Sequence, residues 1–150
     1  MTIGWGIIST GRHPDVKVVP AMKLAADTNV VAVYSRDLGR ASAFADRHGV
    51  GNAYDSLDAL LSDPGVDAVF ISSPNSLHAE QTIAAANAGK HVLVEKPMAV
   101  SVDQASEMVG AVRDNGVKLG VGFHLRFHPG HITVRELMEQ EVVGVPSMVQ

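Results

Sequence analysis

A charged pair followed by proline ends one of the apolar segments of this sequence, and its residue types suggest chemistry. His91–Val94 reads as a short buried strand, and Glu95, Lys96 and Pro97 follow it directly. Proline has no N–H and cannot continue a strand ladder, so the pair is predicted to lie at the strand's C-terminal end. An ammonium there can hydrogen-bond a substrate hydroxyl or carbonyl oxygen, stabilise negative charge on it, or relay its proton. Lys96 is therefore the candidate catalytic residue, and it is also expected to contact cofactor and substrate.

The neighbours of Lys96 leave alternatives open. Glu95 can hold Lys96 in place or contact the ribose of a cofactor. The competing interpretation makes Glu95 and Lys96 a surface ion pair at a strand end. Pro97 disfavours it, because proline fixes the backbone where the lysine side chain must be aimed. A cis Lys96–Pro97 bond is compatible with the sequence.

A turn of small residues after the first apolar run is the candidate phosphate site. Backbone N–H groups at a tight turn before a helix can face a pyrophosphate. Two departures weaken the glycine pattern: Ser9 takes the place of its first glycine, and Pro14 stands where a third small residue is expected. An ordinary βα loop is the equally good alternative. The predicted cofactor contacts in this stretch are Gly6, Ser9, Thr10, Gly11 and Arg12.

The end of the second apolar run is expected to select the nicotinamide cofactor. A carboxylate at this position hydrogen-bonds the ribose 2′-hydroxyl of NAD. This chain instead has Ser35 and Arg36, with Arg40 one helical turn on. A hydroxyl and two guanidinium groups suit a phosphate monoester, so the pattern favours NADP, with NAD possible. Asp37 complicates this prediction, since it can cap the next helix or reach a ribose. The alternative interpretation of these residues is a solvated helix start without a role in cofactor binding.

A third polar segment, residues 72–78, follows the next buried run and is expected at the same edge of the sheet. Small residues and a proline keep its backbone close to a dinucleotide. The predicted cofactor contacts in it are Ser73, Pro74, Asn75 and His78. For His78, a local structural hydrogen bond in the first turn of its helix is favoured over catalysis.

Three histidines near the end of the sequence invite a metal hypothesis. His128 and His131 are three residues apart, but Pro129 and Gly130 lie between them, and the sequence has no HExxH-type general base. No metal site is therefore predicted. The segment is expected to line the cleft, with His124 and Arg126 facing cofactor or substrate; a polar hinge between two domains is the alternative.

Apolar runs and helical segments alternate at intervals of about 20–30 residues, which is typical of βαβ units with a parallel sheet. Right-handed crossovers then give an α/β, doubly wound, mostly parallel Rossmann sheet with its ligand crevice at the strand C-termini. Predicted strands are 3–8, 30–34, 53–54, 68–71, 91–94 and 118–123, with a further one begun at 145–150. Predicted helices are 16–26, 41–47, one after Ser56, 78–88, 101–114 and 129–140.

Bulk properties exclude several classes of protein. The 150 residues are enough for one domain with a sizeable core. A net charge of −4 argues against nucleic acid or an anionic membrane as the main partner. The absence of cysteine excludes disulfides and thiolate metal sites and fits a cytoplasmic protein. No secretory signal and no apolar run long enough to span a membrane is present in the sequence.

The order of these motifs resembles the N-terminal half of the Gfo/Idh/MocA oxidoreductases. The resemblance covers essentially all 150 residues. The motifs that carry it are Gly6-Ile7-Ile8-Ser9-Thr10-Gly11, Ser35-Arg36, Pro74-Asn75-Ser76-Leu77-His78, Ala88-Gly89-Lys90-His91-Val92-Leu93-Val94-Glu95-Lys96-Pro97 and Arg126-Phe127-His128-Pro129. The run His124-Leu125-Arg126 is also similar to that of a sugar-reducing member.

The resemblance implies hydride transfer between a nicotinamide and a sugar, polyol or related compound. It implies that Lys96 orients and polarises the reacting oxygen. It also implies a second α/β domain, supplying a catalytic histidine and most substrate contacts, and a full-length homo-oligomer. Residues 1–123 are then the cofactor domain, and residues 124–150 are the connection and first elements of the second domain. A dinucleotide-binding module without catalysis, a sensor or a scaffold, is the alternative.

Overall fold

The structure is a computed structural model of the chain and describes residues 2–142 and 144–145. Its centre is a six-stranded sheet in which every observed strand pair is parallel. The spatial order is β3-β2-β1-β4-β5-β6, so the order reverses between β1 and β4. This is the doubly wound arrangement that the sequence predicted. The strands are β1 Ile3–Ile8, β2 Thr28–Tyr34, β3 Asn52–Tyr54, β4 Ala68–Ile71, β5 His91–Val94 and β6 Leu119–Val121.

Within residues 2–142 and 144–145, six α-helices connect or follow the strands. Ser56 and Ser101 cap the helices that follow them, because each side chain accepts a hydrogen bond from a backbone N–H three residues on. The strand expected over residues 145–150 lies outside the described residues except at its first position. In the part of the chain described, no helix is both long and apolar enough to cross a membrane. The helices are α1 Val19–Leu24, α2 Leu38–His48, α3 Leu57–Leu61, α4 His78–Asn87, α5 Val102–Asp114 and α6 Pro129–Glu139.

The helix after β1 differs from its prediction. A π-helical segment, Pro14–Val18, precedes α1, and the Val19 N–H donates to the Pro14 carbonyl oxygen five residues back. The sequence predicted a helix from residue 16 in which Pro20 either kinks the chain or marks a later start. Pro20 lacks the N–H that an α-helical ladder needs at its position. Helical structure begins earlier than predicted, directly after the first turn.

Two apolar layers cover the sheet. On one face, β1 and β2 pack against α1 and α2 around Ile7, Val19 and Phe44. On the other face, Ile71 and Met108 belong to a core built with α3, α4 and α5. Burial on both faces explains why the strands read as continuous apolar runs. By contrast, no residue of α6 is buried.

A buried carboxylate stabilises the sheet edge opposite the strand C-termini. One oxygen of Asp63 accepts from Asn52 Nδ2 at 2.8 Å and from the Tyr54 hydroxyl at 3.1 Å. The other accepts from the Gly65 N–H at 2.8 Å. Burial by itself raises the pKa of Asp63, but these hydrogen bonds and the Lys90 charge outweigh it and hold that pKa below its ordinary value. Burial and the hydrogen bond to Asp63 raise the pKa of Tyr54.

We predict that Asp63→Asn lowers the free energy of unfolding at neutral pH by about 1–3 kcal/mol, because an amide cannot accept all of these hydrogen bonds. The folded-state pKa of Asp63 is depressed below its ordinary 3.8. Its contribution is therefore complete above that value and is lost as pH falls through the folded-state pKa. Urea unfolding at pH 7 and pH 3 should show the difference between wild type and variant shrinking in acid. Asp46→Asn, at an exposed position of α2, is the control, and a pH-independent difference would contradict the prediction.

Candidate functional site

The polar segments singled out in the sequence meet at one edge of the sheet. They follow β1, β2, β4 and β5, and all of these strands are parallel. Two cavities open along this edge. The smaller, of about 270 Å³, lies over the ends of β1 and β2, and the larger, of about 1080 Å³, lies over β4, β5 and β6; Ser73 lines both. The groove thus crosses the point between β1 and β4 where the strand order reverses, which is where open α/β sheets bind ligands.

The turn after β1 has an unusual backbone at Ser9. Its φ is +120°, a conformation that glycine adopts readily and other residues rarely do. The Ser9 N–H donates to the Tyr34 carbonyl at 3.1 Å, and the Ser9 hydroxyl accepts from the Gly11 N–H at 3.2 Å. Ser9, Thr10 and Gly11 line the smaller cavity. At Ser9 the turn therefore has a backbone conformation typical of glycine, although the residue is serine.

We predict that Ser9→Gly is more stable than Ser9→Ala by about 1–2 kcal/mol. Both variants lose the hydroxyl, but only glycine relieves the strain of a positive φ. Thermal unfolding of the two variants measures this difference, and comparing them cancels the lost hydrogen bond to Gly11. Equal stability would mean that the serine backbone is unstrained at this position.

The residues after β2 divide into two roles. Arg36 and Arg40 line the smaller cavity together with Ser35. Asp37 caps α2, since its Oδ1 accepts from the Arg40 N–H at 2.8 Å, and the same oxygen lies 3.8 Å from Arg40 Nε. Of the two alternatives for Asp37, the structure supports the helix cap. The carboxylate is thus engaged with its own helix, while the guanidinium groups border the cavity.

The segment after β4 lines both cavities. Pro74 lines the smaller cavity, and Ser72 and Asn75 line the larger one. The Ser73 hydroxyl donates to Gln81 Oε1 at 2.6 Å. The Ser72 hydroxyl is buried and has no hydrogen-bond partner among the described residues.

His78 connects this segment to the residues after β5. Its side chain is buried, Nε2 lies 3.0 Å from the Ser73 carbonyl oxygen, and Nδ1 lies 2.8 Å from the Pro97 carbonyl oxygen. Carbonyl oxygens only accept, so each of these contacts is a hydrogen bond where the facing ring nitrogen carries a proton. The structural role predicted for His78 is supported, but its second partner lies 19 residues away rather than in the same turn.

The Lys96–Pro97 bond is cis, and Lys96 is exposed at the floor of the larger cavity. Glu95 does not pair with its ammonium. Glu95 Oε2 instead accepts from the Lys96 backbone N–H at 3.1 Å, and Oε1 lies 2.9 Å from His13 Nε2. The surface ion pair considered as an alternative is therefore not formed.

His13 is a residue of this site that the sequence did not reveal. It lies at the start of the helical segment after β1 and reaches Glu95, 82 residues away. No local pattern marks it, because the contact depends on the β1 and β5 ends meeting across β4.

The last predicted site segment is only partly at the cavity. His124 lines the larger cavity, whereas Arg126 lies over the Phe123 ring, with 6.0 Å between the guanidinium carbon and the ring centre, and does not line it. His128 caps α6, with Nδ1 accepting from the Gly130 N–H at 3.2 Å. Pro129 and Gly130 thus begin a helix rather than interrupt one. Across residues 2–142 and 144–145, no three metal-ligating side chains are grouped closely enough to hold an ion.

Two predicted cofactor contacts are placed away from the cavities. Gly6 is buried in β1, and a Cβ there would lie 2.9 Å from Leu60 Cδ2 and 3.2 Å from Val66 Cγ1. The glycine makes room for the Leu60 and Val66 side chains, and a cofactor contact at Gly6 stays a prediction. Arg12 is exposed and lines neither cavity.

These features fit an extended dinucleotide. The turn at Ser9–Gly11 lines the smaller cavity together with Arg36 and Arg40, and Lys96 lines the larger one. Ser73, which lines both cavities, lies between these two ends. The larger cavity alone is about as large as the pockets that hold small-molecule ligands.

Comparison with known proteins agrees with this geometry. Residues 3–123 match the family model described as "Oxidoreductase family, NAD-binding Rossmann fold", the Gfo/Idh/MocA model. The chain is 41% identical over 142 residues to 1,5-anhydro-D-fructose reductase of Ensifer adhaerens, covering 95% of this chain and 42% of that protein. It is 42% identical over 144 residues to D-xylose 1-dehydrogenase (NADP(+)) 2 of Haloferax volcanii, covering 96% of this chain and 44% of that protein.

A solved structure shows the same likeness. A 3-ketoreductase from Actinomadura kijaniata in complex with NADP superposes with a TM-score of 0.89 at 35% identity, covering 96% of this chain and 46% of that one. The chain therefore spans somewhat less than half the length of these relatives.

Proposed function

Because this chain belongs to the Gfo/Idh/MocA oxidoreductase family, we propose that it is the cofactor-binding half of an NADP(H)-preferring oxidoreductase. The substrate class is a sugar, polyol or related carbonyl or alcohol. The observation that carries this proposal is the position of Lys96, which borders the same groove as the turn at Ser9–Gly11 and the Arg36 side chain. An ammonium at one end of a dinucleotide groove is placed to act on an oxygen beside the reactive end of the cofactor.

In this proposal, different segments of the chain bind different parts of the cofactor. The Ser9–Gly11 turn and the Ser73–Asn75 segment hold the phosphates and the central part of the cofactor. Ser35, Arg36 and Arg40 bind a 2′-phosphate through hydroxyl and guanidinium groups. When bound, the nicotinamide supplies or accepts the hydride.

Lys96 acts on the substrate oxygen in this proposal. Its ammonium donates a hydrogen bond to the carbonyl or hydroxyl oxygen and stabilises negative charge that develops there. His124 lies in the same cavity and is placed to contact substrate. Arg126 would reach substrate only by leaving its place over the Phe123 ring.

The remaining parts of the proposal concern the longer protein. Residues 124–150 are proposed to begin a second domain, which is consistent with the lack of buried residues on α6. That domain would complete the substrate site and form the contacts of a homo-oligomer.

The full-length protein tests the proposal directly. NADPH binding is measured first by fluorescence titration, and then NADPH oxidation is followed with a panel of ketoses, aldoses and dicarbonyl sugars. Turnover of at least one sugar carbonyl is the expected result. Tight binding without turnover of any of them would support a dinucleotide-binding module instead, and failure to bind either nicotinamide cofactor would overturn the proposal.

A further inference from the structure

We infer that His13 is a positioning residue that keeps Glu95 away from the ammonium of Lys96. This inference rests on the proposed function only in assigning Lys96 to the substrate oxygen. Its structural core is the hydrogen bond of 2.9 Å between His13 Nε2 and Glu95 Oε1.

Each carboxylate oxygen of Glu95 has a hydrogen-bond partner other than Lys96 Nζ. Oε1 meets His13, and Oε2 accepts from the Lys96 backbone N–H at 3.1 Å. The carboxylate also packs on Gly122, where a Cβ would lie 3.2 Å from Oε1. The glycine at the end of β6 thus leaves room for this conformation of Glu95. The carboxylate is directed across the sheet, toward the end of β1.

Because both Glu95 oxygens have other partners, the Lys96 ammonium is available to bind a substrate oxygen. None of the ion pairs found in the described residues includes Lys96. The charged and titratable side chains that line the larger cavity, within those residues, are His13, Lys17, His78, Glu95, Lys96 and His124. Glu95 is the single carboxylate in that set, and it belongs to the residue next to Lys96. It is therefore the one group of this cavity that can neutralise the lysine.

Removing His13 would free one oxygen of Glu95 beside an unpaired ammonium. Opposite charges on neighbouring side chains attract, and a modest preference suffices to form a pair between the half-buried Glu95 and the exposed Lys96. A lysine paired in this way must break that contact before it can bind a substrate oxygen. His13 prevents the pairing by occupying the carboxylate first.

His13 can be replaced without disturbing the core. Its side chain is 49% exposed, and its ring lies beside that of Phe70, with 6.4 Å between centroids. A loss of folding is therefore not expected in variants at this position, and thermal unfolding verifies it.

The first experiment measures Lys96 directly in the cofactor-free, full-length protein. Trace acetylation with acetic anhydride, read by mass spectrometry, reports the reactivity of each lysine. In His13→Ala, Lys96 should react about two- to fivefold more slowly, because an amine held against Glu95 is less available to the reagent. Exposed Lys118 is the internal reference.

Two further variants test the route through Glu95. His13→Gln keeps a side-chain donor for Glu95 and should restore wild-type labelling. In a Glu95→Gln background, His13→Ala should cause no further slowing, because no carboxylate is left to pair with Lys96. Turnover should follow the same pattern, with kcat/KM about two- to fivefold lower in His13→Ala and NADPH affinity unchanged.

Three outcomes would overturn the inference: unchanged Lys96 labelling in His13→Ala, slowing that persists in the Glu95→Gln background, or no restoration by His13→Gln. Labelling does not depend on catalysis. If the wild type binds NADPH but reduces no sugar carbonyl, the proposed function fails, while the labelling pattern still decides the role of His13.

Discussion

Replacing Lys96 with alanine is expected to lower kcat of the full-length protein by about 10²–10³-fold, the usual effect of removing one preorganised donor to a charged transition-state oxygen. NADPH binding should stay nearly intact, because the groups expected to hold the adenosine and phosphate parts lie at the other cavity. The physical reason is the Lys96 ammonium just after β5, which lines the larger cavity and belongs to no ion pair within the described residues. Steady-state kinetics with the best carbonyl substrate and a parallel NADPH titration measure the two effects separately.

Lys17→Ala is the matched control for this experiment. Lys17 lines the same cavity but lies in the π-helical segment Pro14–Val18 rather than directly after a strand end. It should leave kcat within about twofold of wild type, as most substitutions of surface charges away from the reacting atoms do. Unchanged turnover in Lys96→Ala would remove Lys96 from the chemistry, and equal losses in the two variants would reduce its role to general electrostatics.

The fold was predictable because the signals that specify it are local. The strands β1, β2, β4 and β5 are buried on both faces, and such strands must be continuous apolar runs. Helix starts at Ser56 and Ser101 were visible because a capping side chain precedes each helix. The π-helical segment 14–18 was not predicted. Pro20 lacks an N–H and removes one hydrogen bond from the helix. The sequence does not indicate at which residues the helix changes its hydrogen-bond pattern in response.

The site was predictable only where strand ends define it. Parallel strands place their C-terminal residues at one edge, so Ser9, Arg36, Ser73 and Lys96 were expected to converge, and they do. Contacts between those segments were not predictable. The partner of Glu95 lies 82 residues away, and the partner of His78 lies 19 away.

Gly6 has a packing role that the sequence did not reveal. A glycine close to a phosphate turn resembles a ligand contact in sequence. In the structure its missing side chain is required by Leu60 and Val66 behind the sheet. A glycine can be needed for close packing or for the close approach of a ligand. Only the three-dimensional surroundings of the residue distinguish these two reasons.

Replacing Arg36 with alanine is expected to reduce the preference for NADPH over NADH by about 10- to 100-fold, which corresponds to the 1.5–3 kcal/mol typical of hydrogen bonds to charged groups. Arg36 lines the smaller cavity, and no ion pair within the described residues occupies it. Arg40 is partly held by Asp37 at 3.8 Å, so its own replacement should have the smaller effect. Dissociation constants of both cofactors for both variants, measured at one fixed salt concentration, give the two ratios.

Asp37→Asn tests whether Asp37 serves only as a helix cap or also contributes to the preference between NADPH and NADH. Asparagine caps helices as well as aspartate does, so α2 should remain stable. If Asp37 serves only as the cap, as its hydrogen bond to the Arg40 N–H indicates, NADH affinity should not change. NADPH affinity should rise slightly, because one negative charge near the 2′-phosphate is gone. A clear loss of NADH affinity would instead mean that the carboxylate turns to a ribose hydroxyl when the cofactor binds, and the cavity would then have to be regarded as an NAD site.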